Sequence, residues 1–579
     1  MRKHWNAAAD GIALGAIAVF AFRFSITAGE RGFFPLDQSM VFDAGYRIFS
    51  GQMPYRDFVL PYGVVPPALQ ALAFSITGVS YLAYLCTAAT MNALATLLAA
   101  AVVRLLLPHA RALSYVAAAL TAVWFYPPFG TPSFQQTSFL FGLLALVPLL
   151  AAATGRGSGR WWGPGLLPLA GCAGAAAILC KQNTGVYMVP GWLVLLAVSG
   201  APSWRRVVAH EAAFFAGFAG TLALFLAAVW LVADVRLFVR HFIELPATIG
   251  GLRFGSGSSL LADIALLRGP QLAARLPLAG AFLAAALSAA MALRLRRHPT
   301  AGGAPQRRPL AAAVCLYLVF YQQLFLHTTN NAYENGMPFI GIIVVLGAGL
   351  ILSWAEGAWR TDHAAHAPAA RGAYDAGAAR RGGHAGGVAR VGIADRALRA
   401  GVWLALLVST GGLVHYGGRA ALERRVHDMF AGSSFPRFLD EPNLEHLRWG
   451  QPTAFDEYVL PEEDVVAVLR FLRTDGRNFF VFPDFTLFYG ILGKPSPQPL
   501  VWFQKGITYP ATYDAAVDRW VVDELRRNRV EVVVLEARSW SNTRRQLAAF
   551  PLLTTYVAQE FVRTREFGLF KIYERKRER

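Results

Sequence analysis

Charge is scarce in this chain. Of its 579 residues only 16% are Asp, Glu, Lys or Arg, where a soluble globular domain carries about a quarter. Cysteine is scarcer: the four residues Cys86, Cys172, Cys180 and Cys315 all sit inside apolar runs, without metal-ligand spacing. A disulfide framework and a structural zinc site are excluded on that ground, and small buried hydrophobes remain. No Walker-type or dinucleotide glycine motif stands in a strand–turn–helix context, and no serine-centred elbow stands out. Acidic residues number 36 against 54 Lys plus Arg, giving a net charge of +18. The arginines concentrate in breaks between apolar spans rather than along one stripe. That distribution argues against nucleic acid as a partner and for a protein oriented in a membrane.

What is abundant is hydrophobic residue, 55% of the chain, with a mean hydropathy of +0.39. A hydrocarbon core of about 30 Å needs about 20 mostly apolar residues per helix. The basic Met1–His4 precedes an apolar run, Gly11–Phe22, with no clear small-residue cleavage pattern after it. Further spans are expected at 80–107, 112–126, 134–154, 166–180, 185–200, 211–233, 277–295, 310–327, 337–355 and 398–416, eleven in all. With the N-terminus inside, the inner loops contain Arg104 and Arg111; Arg156 and Arg160; Arg205 and Arg206; Arg294, Arg296, Arg297, Arg307 and Arg308; and the arginine-rich stretch 360–399. The outer loops 127–133, 181–184 and 328–336 hold one basic residue, Lys181. That alternation is the positive-inside signature. The outer loop 234–276 breaks it with five arginines, which a segment lying along the membrane surface would explain.

Residues 1–418 thus read as a transmembrane module. Within it, 356–396 is rich in Ala, Gly, His and Arg and is expected to be a disordered cytoplasmic loop. The irregular spacing of His363, His366 and His384 there does not suit a metal. Residues 419–579 mix aromatics, charges and proline, and alternate helix and strand signals: a helix from Pro461 to Arg473, buried strands at 479–482 and 530–535, a helix at 514–528, and two strands within 556–573. This is a small soluble α/β domain, placed outside by the parity of the spans.

The most informative segment is the first outer loop, 29–79. Asp37, Asp43, Arg47, Arg56 and Asp57 stand among apolar and aromatic residues there, and 41–49 reads as a helix on the membrane surface, ended by Gly51. Charges at a water–lipid boundary are costly unless paired or used. Asp37, the surface helix, Gly51, Pro54-Tyr55-Arg56-Asp57-Phe58, Tyr62-Gly63 and Pro66-Pro67 together resemble the first outer loop of bacterial GT-C glycosyltransferases. More narrowly, the segment is similar to the protein-mannosyltransferase-like branch, which includes the aminoarabinose transferases of lipid A. The resemblance implies that Asp37 is the catalytic base, with Gln38 replacing the Glu common in the family. Asp57 is the second catalytic candidate, balanced against a structural ion pair with arginine; Asp37 has its own structural alternative, as a helix cap or arginine partner. Arg56, Tyr55 and Tyr62 of the same loop are candidates for holding the donor.

Two later clusters share the outer side. Lys181-Gln182-Asn183-Thr184 offers an ammonium, two amides and a hydroxyl to a phosphate and sugar hydroxyls, which the family resemblance also favours; a polar turn with a snorkelling lysine is the alternative. Between two spans, His327, Asn331, Tyr333 and Glu334 suit donor phosphate or catalytic assistance, although an Asn-rich connection needs no function. Gln322 and Gln323, inside the preceding span, are expected to hydrogen-bond between helices. The expected function is transfer of a hexosyl or pentosyl unit from a polyprenyl-phosphate donor to a lipid, glycan or protein acceptor outside a bacterial plasma membrane. No cofactor is demanded by any motif, and a divalent metal stays open. The alternatives are a transporter or flippase, or a non-catalytic envelope-assembly scaffold of the same fold.

Overall fold

The computed structural model describes residues 2–154, 164–200, 203–255, 272–296, 307–329, 336–366, 385–423, 434–451 and 460–577. A helix occupies each of the eleven expected spans: α1 (Arg2–Gly29), α4 (Tyr81–Leu106), α5 (Arg111–Trp124), α6 (Phe134–Ala153), α7 (Leu167–Cys180), α9 (Val189–Gly200), α10 (Trp204–Val232), α13 (Leu272–Arg296), α14 (Arg307–Thr329), α15 (Ile340–His366) and α16 (Ala385–Leu422). Among the described residues six helices are long and apolar enough to cross a membrane, and shorter apolar helices stand beside them. The chain is a polytopic helical membrane protein with a small C-terminal sheet. Small residues let the helices close up. A Cβ on Gly171 of α7 would lie 2.0 Å from the Phe214 carbonyl oxygen of α10, the kind of backbone approach on which packing in lipid depends. Polar groups tie helices across the bundle: the Asn92 amide of α4 donates to Ala21 O of α1 at 3.0 Å and Ala122 O of α5 at 2.9 Å. Gln322 departs from expectation. Among the described residues neither of its buried amide atoms has a hydrogen-bond partner.

The stretch 356–396 also differs. Helix α15 continues to His366 and α16 starts at Ala385. Residues 367–384 lie outside the described ones. After α10 come α11 (Val235–Phe238), a π-turn (Val239–Glu244) and α12 (Leu245–Gly255).

The C-terminal part builds a four-stranded sheet, β1 (Phe479–Phe482), β2 (Val532–Glu536), β3 (Phe561–Phe567) and β4 (Phe570–Arg575), in the order β1-β2-β4-β3. Strands β1 and β2 are parallel and the other pairings antiparallel. Around it lie α17 (Glu462–Asp475), α18 (Leu487–Leu492), α19 (Ala515–Arg527), α20 (Thr543–Ala549) and α21 (Pro551–Glu560). Three acids open α17, where the helix dipole favours them. Asp514 caps α19 by accepting from Ala516 and Val517 N–H. Tyr556 sits on α21 rather than in a strand, because Pro551 at the first turn starts a helix before β3.

The first outer loop is not laid open on the membrane. Its helix α2 (Pro35–Phe49) starts six residues earlier than the sequence suggested and has most side chains buried. The C-terminal domain covers it. Arg47, fully buried, donates to Asp43 Oδ2 at 2.9 Å, to Gln498 O at 2.5 Å and to Ser496 Oγ. Val59 N–H reaches Pro499 O at 2.9 Å, and the Gln52 amide reaches Ser496 O at 3.1 Å. Phe34 meets Trp540 edge-on at 5.2 Å. Loop and domain therefore form one packed seam.

Candidate active site

Beneath that seam lies a cavity of about 660 Å³ bordered by Asp37, Ser133, Gln135, Lys181, Gln182, Asn183, Thr328 and Thr329. Its apolar wall comes from Phe129, Phe134, Ile178 and the segment Phe242–Gly250. Polar groups converging on a largely apolar concavity are the usual composition of a small-molecule site.

Asp37 stands in the first turn of α2, where the helix dipole favours a carboxylate. Its neighbour also holds the helix start. Gln38, buried, accepts from Phe34 N–H at 2.8 Å and donates to Phe129 O at 3.1 Å. The Gln38 amide thus fastens the helix start to the loop after α5. The other acid of the helix, Asp43, is spent on Arg47; burial still pushes its carboxyl up to about 6 against that guanidinium.

Lys181 occupies the extended break between α7 and α8 (Gln182–Val186). Its ammonium donates to Gln135 Oε1 at 3.0 Å and lies 5.2 Å from the Tyr62 ring and 5.8 Å from that of Phe325. The break is held from two sides. The Gln182 amide donates to Pro61 O at 3.0 Å and to Phe242 O at 2.7 Å. Gly63 N–H donates to Cys180 O at 3.1 Å, an approach so close that a Cβ on Gly63 would fall 1.6 Å from Leu179 O. Only glycine fits there. Tyr55 supports this from behind: it is buried, at φ +61°, and its hydroxyl donates to Tyr62 O at 3.1 Å. Thr184 is buried beside the cavity rather than on its wall, its carbonyl accepting from Tyr321.

The structure therefore brings Asp37, Tyr62, Lys181 and Gln182 to one cavity, together with the end of α14 at Thr328 and Thr329. His327, adjacent, does not line it. Asn331, Tyr333 and Glu334 lie outside the described residues. Arg56 and Asp57 are elsewhere, bound to each other at 2.7 Å on an exposed turn, with Asp57 also accepting from Met53 N–H. That arginine holds the Asp57 carboxyl below its ordinary range. Arg56 instead borders a separate, open depression with Trp230–Arg236.

Several wall residues carried no sequence signal. Gln135 was hidden in an apolar span, its one local sign being the polar Thr131, Ser133 and Gln136 around the start of α6. Trp502 and Ile507 reach the cavity from the C-terminal domain, a tertiary contact that no local pattern encodes. Near Asp37 the same domain buries Asp484, which accepts from Ser541 N–H and Oγ–H. Burial pushes its carboxyl up to about 6, and the Asp37 charge adds to the rise. Glu536 accepts from Asp484 N–H at 2.7 Å and Phe485 N–H at 3.0 Å; burial and the Asp484 charge push it upward too. Among the described residues no group of three or more His, Cys, Asp or Glu is placed to hold a metal ion.

No protein-family model matches the sequence, and no curated protein matches it significantly. Solved structures do. ArnT from Cupriavidus metallidurans bound to undecaprenyl phosphate superposes with a TM-score of 0.50 over 97% of both chains, at 14% identity. The chain has an ArnT-like, GT-C fold. The apo state of that ArnT matches at 0.48, with 14% identity and 98% of both chains covered. The likeness spans the membrane helices and the C-terminal domain together.

Proposed function

We propose that this protein transfers a sugar from a polyprenyl-phosphate donor to an acceptor hydroxyl at the outer face of a bacterial plasma membrane. The observation that carries the reading is the convergence of Asp37 and Lys181, remote in sequence, on one largely apolar cavity at the ends of membrane helices. The ArnT structure of the same fold holds undecaprenyl phosphate, which supports the same class of lipid here. In the proposed reaction the Asp37 carboxylate takes the acceptor hydroxyl proton. The acceptor oxygen forms a bond to the anomeric carbon, and the bond from that carbon to the phosphate oxygen breaks, with inversion. The electron pair leaves on the polyprenyl phosphate, whose charge the Lys181 ammonium neutralises. Gln135, which holds that ammonium in place, keeps it aimed before substrate arrives.

The test is a panel of radiolabelled undecaprenyl-phosphate sugars offered to purified protein. With the sugar that is consumed, Asp37→Asn should lower turnover at least about 100-fold while donor affinity changes little, and Asp43→Asn should do much less. Lys181→Met should weaken donor binding, whereas Arg56→Gln, off the cavity, should not. Near-full turnover in Asp37→Asn moves the base elsewhere; consumption of no sugar by the parent defeats the proposal.

A further inference from the structure

Trp502 is 4% exposed and lines the cavity. Among the described residues its indole Nε1–H, shut off from solvent, has no hydrogen-bond acceptor. Buried donors are almost always satisfied, so an orphan on a cavity wall needs an explanation. Its backbone is not free to drift toward an alternative partner. The residues before it are pinned to the first outer loop through Val59 N–H and Pro499 O. Those after it close a tight turn, with Gln504 N–H on Thr508 Oγ at 3.0 Å and Gly506 N–H on Tyr509 O at 2.7 Å. Ile507 of that turn lines the cavity as well, and Gly506 abuts Ile249 of the opposite wall. The loop 499–509 is thus a fixed roof that carries an aromatic face and an unspent donor.

We propose that Trp502 recognises a glycosyl unit in the cavity: its ring packs on the carbon face of the sugar, and the indole turns on its fixed backbone to bring the enclosed N–H onto a sugar oxygen. Resting on the reading of the cavity as a lipid-linked sugar site, this makes the C-terminal domain a specificity-determining part of that site. Indole suits the task, being a large apolar plate with one polar edge. A donor that goes unpaired when the sugar is absent discriminates against ligands without the matching oxygen.

The experiment compares two probes on the full-length protein: undecaprenyl phosphate without sugar, and the undecaprenyl-phosphate sugar that the parent binds best. Trp502→Phe keeps a ring and removes the N–H. A second variant, with 3-benzothienylalanine incorporated at 502, replaces the N–H by sulfur in the same shape and serves if the first folds poorly. Either should weaken the sugar-bearing probe about tenfold and the sugar-free one less than about twofold. An unchanged donor affinity with a KM for a glycan acceptor raised about tenfold assigns the same contact to the acceptor sugar. Equal weakening of both probes, or no effect on donor or acceptor, overturns the proposal and leaves Trp502 a wall of the cavity. If the parent binds neither probe, the lipid-linked reading of the site falls first, and this proposal with it.

Discussion

Replacing Arg47 by methionine tests the seam between the first outer loop and the C-terminal domain at its centre. The guanidinium is fully buried, 5.2 Å above the Phe58 ring, and serves a carboxylate, a carbonyl and a hydroxyl at once. Arg47→Met strands all three. The carboxylate's own share has a ceiling. Held neutral at pH 7, Asp43 costs at most about 4 kcal/mol relative to its ordinary 3.8, at about 1.4 kcal/mol per pH unit. With its carboxyl already near 6, about 3 kcal/mol of that is present in the parent. The larger loss therefore comes from Gln498 and Ser496, since hydrogen bonds to a charged group contribute about 1.5–3 kcal/mol each. A total of about 3–5 kcal/mol is expected, the usual cost of removing one member of a buried pair. Thermal melting of the purified protein should fall by about 6–20 °C, taking about 2–4 °C per kcal/mol. Limited proteolysis should cut near 496–499 earlier than in the parent. Arg47→Lys should rescue little, lacking the planar fork, whereas Asp43→Leu combined with Arg47→Met should recover much of the loss. A single Arg47→Met variant melting within about 2 °C of the parent would refute the reasoning.

Two further outcomes are expected. Asp43 and Asp484 take up protons near 6 in the fold against an ordinary 3.8, so their stabilising contribution is fully present below 3.8 and is lost as pH rises through 6. Melting temperature should therefore rise from about pH 7.5 to about pH 5, and Asp484→Asn should flatten that rise; a parent that melts lower at pH 5 contradicts the assignment. On intact cells, a cysteine at the exposed Tyr513 should react with a membrane-impermeant thiol reagent and one at Ala378 should not. The reverse pattern inverts the proposed topology.

The membrane helices were legible because lipid enforces length and apolarity residue by residue, and arginine marks the inner loops independently of packing. The helix–strand alternation of the C-terminal domain was legible for the same local reason, down to the acid-rich start of α17. Asp37 and Lys181 stood out as charges at apolar boundaries. Their neighbours did not. Gln135 earns its place only by facing Lys181 across two helices, and Trp502 only because the C-terminal domain folds back over α2. For Asp57 the structure shows the ion pair that the sequence offered beside catalysis: Arg56, one residue away, engages it outright. The Asp43–Arg47 spacing announces an ion pair on one helix, but its closure by Ser496 and Gln498 is written about 450 residues later in the chain.

The seam also limits how this protein can be recombined. Because the roof over the cavity is threaded to the first loop by Arg47, Gln52 and Val59, a chimera that exchanges only the C-terminal domain would set a foreign backbone against a buried guanidinium. The transferable module is discontinuous: residues 31–63 and 434–577 have to travel together, and the junctions that respect the fold fall after α1, before the helix α3 (Val65–Thr77) and after α16.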